Sequence, residues 1–265
     1  MPYTPFILLT MARTGSTLLS RMLHQHSQIV SCDELFGENP RFSRQEYLRN
    51  LLLSASCGKV RPEHEELTDT HDLAAVSAPQ LLERFLWHDA YLPCVRAAGF
   101  KLLYSQLDKT AHPELAVYLK NRISSSRVVL LVRHNWLRQF VSFERARRTG
   151  QWERRIGQPS ASTPPIRTSP HRLRQIFSHY ENAYLALEQF ADGAADIYRI
   201  SYEEFTQATV LQWRSLLEFL GADGSPLPFV DLQKQNEEPL AHCVADYESL
   251  RTVFADSPWR RFFDE

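Results

Sequence analysis

Short apolar runs alternate along the chain with segments of helical spacing. The first run is Phe6 to Thr10, and after a turn of small residues the apolar side chains of 18–23 recur at helical spacing. The run at 6–10 lacks polar alternation, which is typical of a strand buried on both faces, and 127–133 is the clearest buried strand of the chain. Further strands are predicted at 29–32, 99–103 and 196–200. Strands that alternate with helices predict an α/β fold with a mostly parallel sheet flanked by helices.

Longer helical patterns complete the prediction. Residues 136–148 and 171–190 predict helices, and a last helix carries on one face Val244, Tyr247, Leu250 and Phe254. Residues 38–98 are predicted to be mostly helical, with apolar positions at Leu48, Leu51 and Leu52 and again at Leu81, Leu82, Phe85 and Leu86. The Ser-, Thr- and Pro-rich residues 153–170 predict a loop or lid. No repeat or boundary interrupts the pattern, so 1–265 is predicted to be one domain.

Composition narrows the function classes. The chain has 265 residues, 43% of them hydrophobic, and a formal net charge of −1, so neither nucleic acid nor a membrane surface is an expected partner. The amino terminus lacks positive charge and the run at 6–9 is too short for a signal peptide or membrane span, which favours a cytoplasmic protein. The four cysteines, Cys32, Cys57, Cys94 and Cys243, have neither disulfide-framework nor metal-site spacing, so no metal is expected.

The turn after the first strand has the composition of an anion-binding loop. It reads Arg13-Thr14-Gly15-Ser16-Thr17. Small residues let the backbone close around an anion, and the free amides of the following helix point at it. Ser and Thr are also favoured as helix caps, so a purely structural interpretation stays open. A Walker A loop is not present, because its Lys is missing.

A second candidate anion site follows the clearest strand. Arg133 ends that strand, and Ser142 lies nine residues later on the next helix. Residues 127–155 contain eight Arg against two Glu, so the local field is positive although the chain is nearly neutral. A solvated basic helix would explain the same composition. The strand-end position of Arg133 favours a functional role, because ligands of parallel sheets bind beyond the carboxyl ends of the strands.

Together these motifs resemble sulfotransferases that use 3′-phosphoadenosine 5′-phosphosulfate (PAPS). Residues 13–19 resemble their 5′-phosphosulfate loop with Arg in place of the usual Lys, and 132–142 resemble their 3′-phosphate strand and helix. Further segments resemble the bacterial carbohydrate enzymes of the trehalose and nodulation-factor type. They are 99–104, 148–152, and 234–236 followed by 247–250. The likeness runs from residue 6 to about 263. It is weakest at 38–98, where acceptors tend to be chosen, and His134-Asn135 stands where a second basic residue often follows.

The resemblance implies a role for each matching residue. The donor PAPS and its product adenosine 3′,5′-bisphosphate (PAP) would be bound by Arg13, Thr14, Gly15, Ser16, Thr17, Leu18, Arg133, Ser142 and Lys234. Glu34 would be the general base, with its neighbour Asp33 as the alternative. Arg13 and Lys101 would also be catalytic, although Lys101 could equally pair with a carboxylate. Of the histidines near the loop, His26 is expected to be packed and His24 to face solvent.

The resulting hypothesis is an enzyme with the P-loop-like sulfotransferase fold. It would move a sulfuryl group in line from PAPS to a hydroxyl of a small molecule, sugar or glycolipid, with residues 153–170 covering the acceptor. The alternatives are a nucleotide kinase of related architecture and an inactive PAP-binding module. Acceptor identity stays undetermined, and a homodimer is left open.

Overall fold

A parallel sheet forms the centre of the protein. The computed structural model describes residues 3–36, 59, 77–87, 91–107, 113–207, 209–224, 226–235 and 238–264. The strands are β1 (Thr4–Thr10), β2 (Ile29–Glu34), β3 (Ala97–Leu103), β4 (Arg127–Val132) and β5 (Asp196–Ser201). Their order is β2-β3-β1-β4-β5, and every pair is parallel. The predicted α/β fold and all five predicted strands are therefore confirmed.

Helices cover the sheet. They are α1 (Ser16–Gln25), α2 (Ala78–Leu81, which continues as a π-helical turn over Leu82–Leu86), α3 (Pro113–Arg122), α4 (Trp136–Thr149), α5 (Pro170–Ala191), α6 (Tyr202–Gln207), α7 (Thr209–Leu220), α8 (Leu240–Cys243) and α9 (Tyr247–Val253). Short 3₁₀ turns span Tyr104–Leu107, Ile123–Ser125 and Pro258–Phe263. No helix among the described residues is long and apolar enough to cross a membrane.

Both faces of β1 are buried, which explains its unbroken apolar run. In β1, Ile7 and Leu9 pack in a cluster on one face, whereas Phe6 and Leu8 pack in a different cluster on the other. All four side chains are fully buried. Because neighbouring strand residues point to opposite faces, burial on both sides requires every position to be apolar.

The strand order fixes where a ligand can bind. After β1 the chain turns through α1 towards β2, whereas after β4 it turns through α4 and α5 towards β5. β1 and β4 are neighbours in the sheet, so these two connections leave in opposite directions and open a crevice between the carboxyl ends of the two strands. The predicted loop at 13–17 and Arg133 lie on the two sides of that crevice.

Several predicted helices differ in the structure. The last helix is divided into α8 and α9, because Asp246 adopts a left-handed φ of 57° between them. Residues 91–96 are not helical, and β3 begins at Ala97, so the prediction for 38–98 was wrong there. The helix predicted at 81–86 is present as α2 and its π-helical turn. The helix predicted around Leu48 lies outside the described residues. Helices α3, α6 and α7 were not predicted.

The predicted loop at 153–170 is irregular up to the start of α5. Two isolated bridges attach it to the rest of the protein: Arg155 pairs with Leu232, and the fully buried Ile166 pairs with Val244. Between these bridges residues 155–162 are exposed. The segment is thus fixed by two bridges, and between them the exposed stretch makes further hydrogen bonds through Ile156, Ser160 and Ala161.

Candidate active site

The loop between β1 and α1 is held in an unusual backbone conformation. Arg13 has a φ of 67° and Gly15 a φ of 81°. A Cβ atom on Gly15 would lie 2.6 Å from the ring of Tyr202, the first residue of α6. The loop therefore needs glycine at this position both for its backbone conformation and for the close approach of Tyr202.

Thr14 has a structural hydroxyl. Its side chain is fully buried, donates to the carbonyl of Met11 at 2.9 Å and lies 2.7 Å from the hydroxyl of Thr10. Thr10 in turn donates to the carbonyl of Leu131 in β4 at 2.7 Å. Any contact of Thr14 with a bound anion would have to come from its backbone amide, because the hydroxyl is turned into the sheet.

A cavity of about 530 Å³ lies over the loop. Of the residues predicted to bind the donor, it is lined by Arg13, Gly15, Ser16, Thr17, Leu18, Arg133, Ser142 and Lys234. The structure thus brings all of them together except Thr14. Residues 152–154 and 232–235 supply the opposite wall, with further contributions from Tyr202, Thr206 and Gln207. The two predicted anion sites open into one cavity.

The guanidinium of Arg13 connects the two sides of the cavity. Its Nε donates to the hydroxyl of Ser142 at 3.0 Å, and its Nη1 donates to the carbonyl of Trp152 at 2.7 Å. Its Nη2 donates to Oε1 of Gln235, and the guanidinium carbon lies 5.9 Å from the ring centroid of Trp152. Arg13 therefore reaches from the first predicted anion site into the second.

Arg133 lies against the same loop. Its Nη1 donates to the backbone carbonyl of Arg13 at 2.9 Å, and its guanidinium carbon is 4.5 Å from the ring centroid of Tyr202. Its Nε is buried and has no hydrogen-bond partner. A buried donor without a partner is costly, so an arrangement that brings an acceptor to this atom would be favoured.

Burial makes the positive charge of both arginines costly, and for Arg13 the charge of Arg133 adds to that cost. Burial, followed by the charge of Arg133, lowers the pKa of Arg13 to about 10, and burial lowers the pKa of Arg133 as well. Both remain cationic at neutral pH. An anion between them would offset both burial and repulsion, so the cavity favours a ligand with negative charge.

A second group of charges lies on the other side of β1. The ammonium of Lys101 in β3 is ion-paired with Asp33, and with Oε1 of Glu34 at 2.9 Å, and it donates to the hydroxyl of Thr17 at 3.1 Å. The register of β2 shifts between Cys32 and Glu34. Such an irregularity interrupts the alternation of side chains, so two consecutive carboxylates reach one ammonium.

Of the two roles predicted for Lys101, the structure shows pairing with carboxylates. Its side chain is only 1% exposed. Burial disfavours the ammonium, but the carboxylates of Asp33 and Glu34 outweigh it and raise the pKa of Lys101. Glu34 keeps 28% of its side chain exposed, whereas Asp33 keeps 13%. Neither carboxylate lines the cavity, and Thr17 is the residue that links the two groups.

The histidine predictions are half right. His26 is buried against Trp213, accepts from the amide of Gln28, and lies 3.2 Å from the carbonyl of Asp223. His24, expected to face solvent, is instead partly buried with Nδ1 3.1 Å from the carbonyl of Ser31. The α1 face that carries His24 turns towards β2, and burial lowers its pKa.

Comparison with known proteins identifies the family. Residues 5–226 match the model of the family described as "Sulfotransferase family". The chain belongs to the sulfotransferase family. It is 27% identical to nodulation protein H of Rhizobium meliloti over 100% of this chain and 96% of that protein, and 26% identical to nodulation protein H of Rhizobium tropici over 98% and 93%. The predicted relationship to nodulation-type sulfotransferases is thereby confirmed.

Two solved sulfotransferases are also similar in structure. The enzyme of Alicyclobacillus acidocaldarius superposes with a TM-score of 0.48 and 18% identity, covering 95% of this chain and 91% of that one. Mouse sulfotransferase SULT7A1 complexed with PAP superposes with a TM-score of 0.43 and 13% identity, covering 99% and 88%.

Some residues of this sulfotransferase site were missed by sequence reasoning. Trp152 and Gln235 lie in quoted motifs but had no assigned role. Tyr202 directly follows β5, so the rule that ligands bind beyond carboxyl ends of strands would have identified it. Gln139 has no comparable signal, because only its contact across the crevice reveals it.

Proposed function

We propose that this sulfotransferase moves a sulfuryl group from PAPS to a hydroxyl of a carbohydrate-like acceptor. The observation that carries the proposal is the convergence of the 13–17 loop, Arg133 and Ser142 on one cavity. PAPS carries phosphate at both ends of one ribose. Two anion-binding elements that open into one cavity fit such a ligand.

The residues present fit the donor. The amides at the start of α1 and the guanidinium of Arg13 would hold the 5′-phosphosulfate. Arg133, whose buried Nε has no hydrogen-bond partner, would hold the 3′-phosphate together with Ser142. Lys234 adds a further cation to the opposite wall. The proposal thus gives a partner to a buried donor that otherwise has none.

The acidic pair beside Lys101 fits the acceptor half of the reaction. Transfer forms a sulfur–oxygen bond to the acceptor hydroxyl, breaks the one to the 5′-phosphate and releases the hydroxyl proton. Glu34, more exposed than Asp33, would accept that proton. Arg13 and the loop amides would stabilise the charge that develops on the leaving phosphate. Lys101 would hold the carboxylate of Glu34 in position.

Similarity supports the class of acceptor. The full-length similarity to nodulation protein H and the resemblance to bacterial carbohydrate sulfotransferases both favour a sugar or glycolipid. The exposed stretch at 155–162 adjoins cavity residues Glu153 and Arg154, which fits a segment that closes over the acceptor.

Ligand titration tests the donor. We expect PAP to bind more tightly than 5′-AMP, and ATP with Mg²⁺ to bind weakly. Arg133→Ala should weaken PAP binding by about one to two orders of magnitude in Kd, because it removes a charge-assisted hydrogen bond of that strength. It should weaken 5′-AMP binding by much less. Arg199→Ala is the control, because Arg199 is half exposed and pairs with Glu188 away from the cavity. Tight ATP binding with no preference for PAP would favour the nucleotide kinase instead.

Product analysis tests the transfer. The enzyme is incubated with PAPS and a panel of mono- and oligosaccharides and glycolipids, and products are identified by mass spectrometry. A sulfated carbohydrate supports the proposal. Tight PAP binding with no sulfated product from any hydroxyl acceptor or cell extract would favour the inactive nucleotide-binding module.

A further inference from the structure

The peptides on both sides of Arg13 are held by hydrogen bonds from across the crevice. The carbonyl of Ala12 accepts from Nε2 of Gln139 at 2.9 Å, and the carbonyl of Arg13 accepts from Nη1 of Arg133 at 2.9 Å. Arg13 has a φ of 67°, which is unfavourable for a residue with a Cβ. Such a conformation persists only where the surroundings hold it. These two contacts restrain the peptide units that define the φ and ψ of Arg13.

The first of these contacts belongs to a buried chain of hydrogen bonds. Oε1 of Gln139 accepts from the hydroxyl of Tyr184 at 2.9 Å, and that hydroxyl accepts from the backbone amide of Arg133 at 3.2 Å. Gln139 is 1% exposed. Because the carbonyl of Ala12 can only accept a hydrogen bond, Nε2 of Gln139 must face it, and this fixes the orientation of the side-chain amide. Burial raises the pKa of Tyr184 to about 12, so its hydroxyl keeps the proton that it donates.

Gln139 has no direct contact with the cavity. It is absent from the lining residues, whereas the loop and Arg133, which it joins, both line the cavity. Its effect on a ligand must therefore pass through the shape of the loop. The amides of Gly15, Ser16 and Thr17 lie two to four residues after Arg13. A change in the backbone conformation of Arg13 would therefore turn them away from the anion.

We propose that Gln139 is a positioning residue that, together with Tyr184, fixes the left-handed conformation of Arg13 and couples the loop to Arg133. The inference rests on the proposed function in one respect: the anion at the loop is taken to be the 5′-phosphate of an adenine nucleotide. The positioning of the loop itself is a property of the protein without ligand, and it can be measured separately.

The test compares two buried glutamines. Gln139→Met keeps the length of the side chain and removes both hydrogen bonds. Gln106→Met is the matched control, because Gln106 is also buried and accepts from the amide of Leu103 at 3.0 Å, at the end of β3. Calorimetry with 5′-AMP and 3′-AMP separates the two phosphate positions. We expect Gln139→Met to weaken 5′-AMP about tenfold or more and 3′-AMP by less than about twofold, and Gln106→Met to leave both unchanged.

Hydrogen exchange gives a readout without ligand. Mass spectrometry of a peptide covering residues 11–18 should show faster exchange in Gln139→Met than in wild type, and unchanged exchange in Gln106→Met. Tyr184→Phe breaks the chain but keeps the bond from Gln139 to Ala12, so it should give a smaller change in the same direction. It also serves as the second variant should Gln139→Met fail to fold.

The outcomes separate the two hypotheses. Wild-type exchange at 11–18 and wild-type 5′-AMP affinity in a folded Gln139→Met protein would overturn the positioning role, as would equal losses for 5′-AMP and 3′-AMP. Faster exchange at 11–18, in a protein whose wild type binds neither nucleotide, would support the positioning role and refute the proposed donor.

Discussion

The two carboxylates that share Lys101 should respond differently to removal of their charge. Asp33 is 13% exposed and Glu34 is 28% exposed, while the ammonium between them is 1% exposed. Asp33→Asn and Glu34→Gln each keep the shape of the side chain and leave Lys101 with one carboxylate. We expect Asp33→Asn mainly to destabilise the fold, and Glu34→Gln mainly to slow turnover.

The magnitudes follow from burial and from the proposed role of Glu34. Breaking a buried pair completely costs about 3–5 kcal/mol, but here one partner remains, so about 1–3 kcal/mol is expected for Asp33→Asn. Because Glu34 is more exposed, Glu34→Gln should lower the free energy of unfolding by about 1 kcal/mol or less. Loss of a general base lowers the rate about 10² to 10⁴-fold, so Glu34→Gln should fall in that range and Asp33→Asn should stay within about tenfold of wild type.

Urea unfolding measures the first effect, and turnover at saturating donor and acceptor measures the second. PAP titration of both variants serves as the control, because neither carboxylate lines the cavity and PAP affinity should be unchanged. Near wild-type turnover in Glu34→Gln would refute its role as base. If Asp33→Asn lost turnover instead, Asp33 would be the base. The greater exposure of Glu34 would then be the wrong criterion for choosing between the two carboxylates.

Other parts of the structure give further predictions. Arg13→Ala should lower turnover about 10² to 10³-fold while PAP affinity falls much less, because negative charge grows on the leaving phosphate during transfer. Steady-state kinetics measures the turnover and calorimetry the PAP affinity, and normal turnover would refute this role. Burial lowers the pKa of His26, so the unfolded chain binds more protons below about pH 6.5 and the free energy of unfolding should fall as the pH drops through that value. Urea unfolding across pH should show a flatter slope for His26→Gln, and an unchanged slope would contradict this. Limited proteolysis should cut within the exposed 155–162 and be suppressed by PAP plus acceptor, whereas cleavage unaffected by both ligands would argue against a lid.

The sheet could be predicted because its signal is local. The central strands β1 and β4 contain continuous apolar runs, and β1 shows why: successive residues enter clusters on opposite faces. The loop at 13–17 could be predicted for the same reason, since strand, turn and helix are contiguous. Helix α3 was missed although its sequence carries helix signals, with Pro113 at its first position, Glu114 in its first turn and basic residues in its last turn.

The contacts of the site could not be predicted, because they depend on residues far apart in sequence. Gln139 and Ala12 are 127 positions apart, and Arg13 and Gln235 are 222 apart. Gln139 is one of several buried polar residues on α4, with Ser142 and Glu144, so its type and position carry no pattern of their own. The surroundings of Lys101 were also only partly predictable. The strand that carries Lys101 was predicted, but the shift in register that brings both Asp33 and Glu34 to its ammonium was not.

The pairing of strands explains how the two halves of the site are related. β1 pairs with β4 through Thr10 and Leu131, which places the loop beside Arg133, and β1 pairs with β3 through Leu8 and Lys101 on its other side. The cavity proposed to bind the donor therefore lies towards β4 and the acidic pair towards β3, with the loop between them. Thr17 is the residue that touches both, since it lines the cavity and accepts from Lys101. If PAPS binds as proposed, a sulfuryl group held at the start of α1 would lie between its 5′-phosphate and the proposed base Glu34, which is the arrangement that in-line transfer requires.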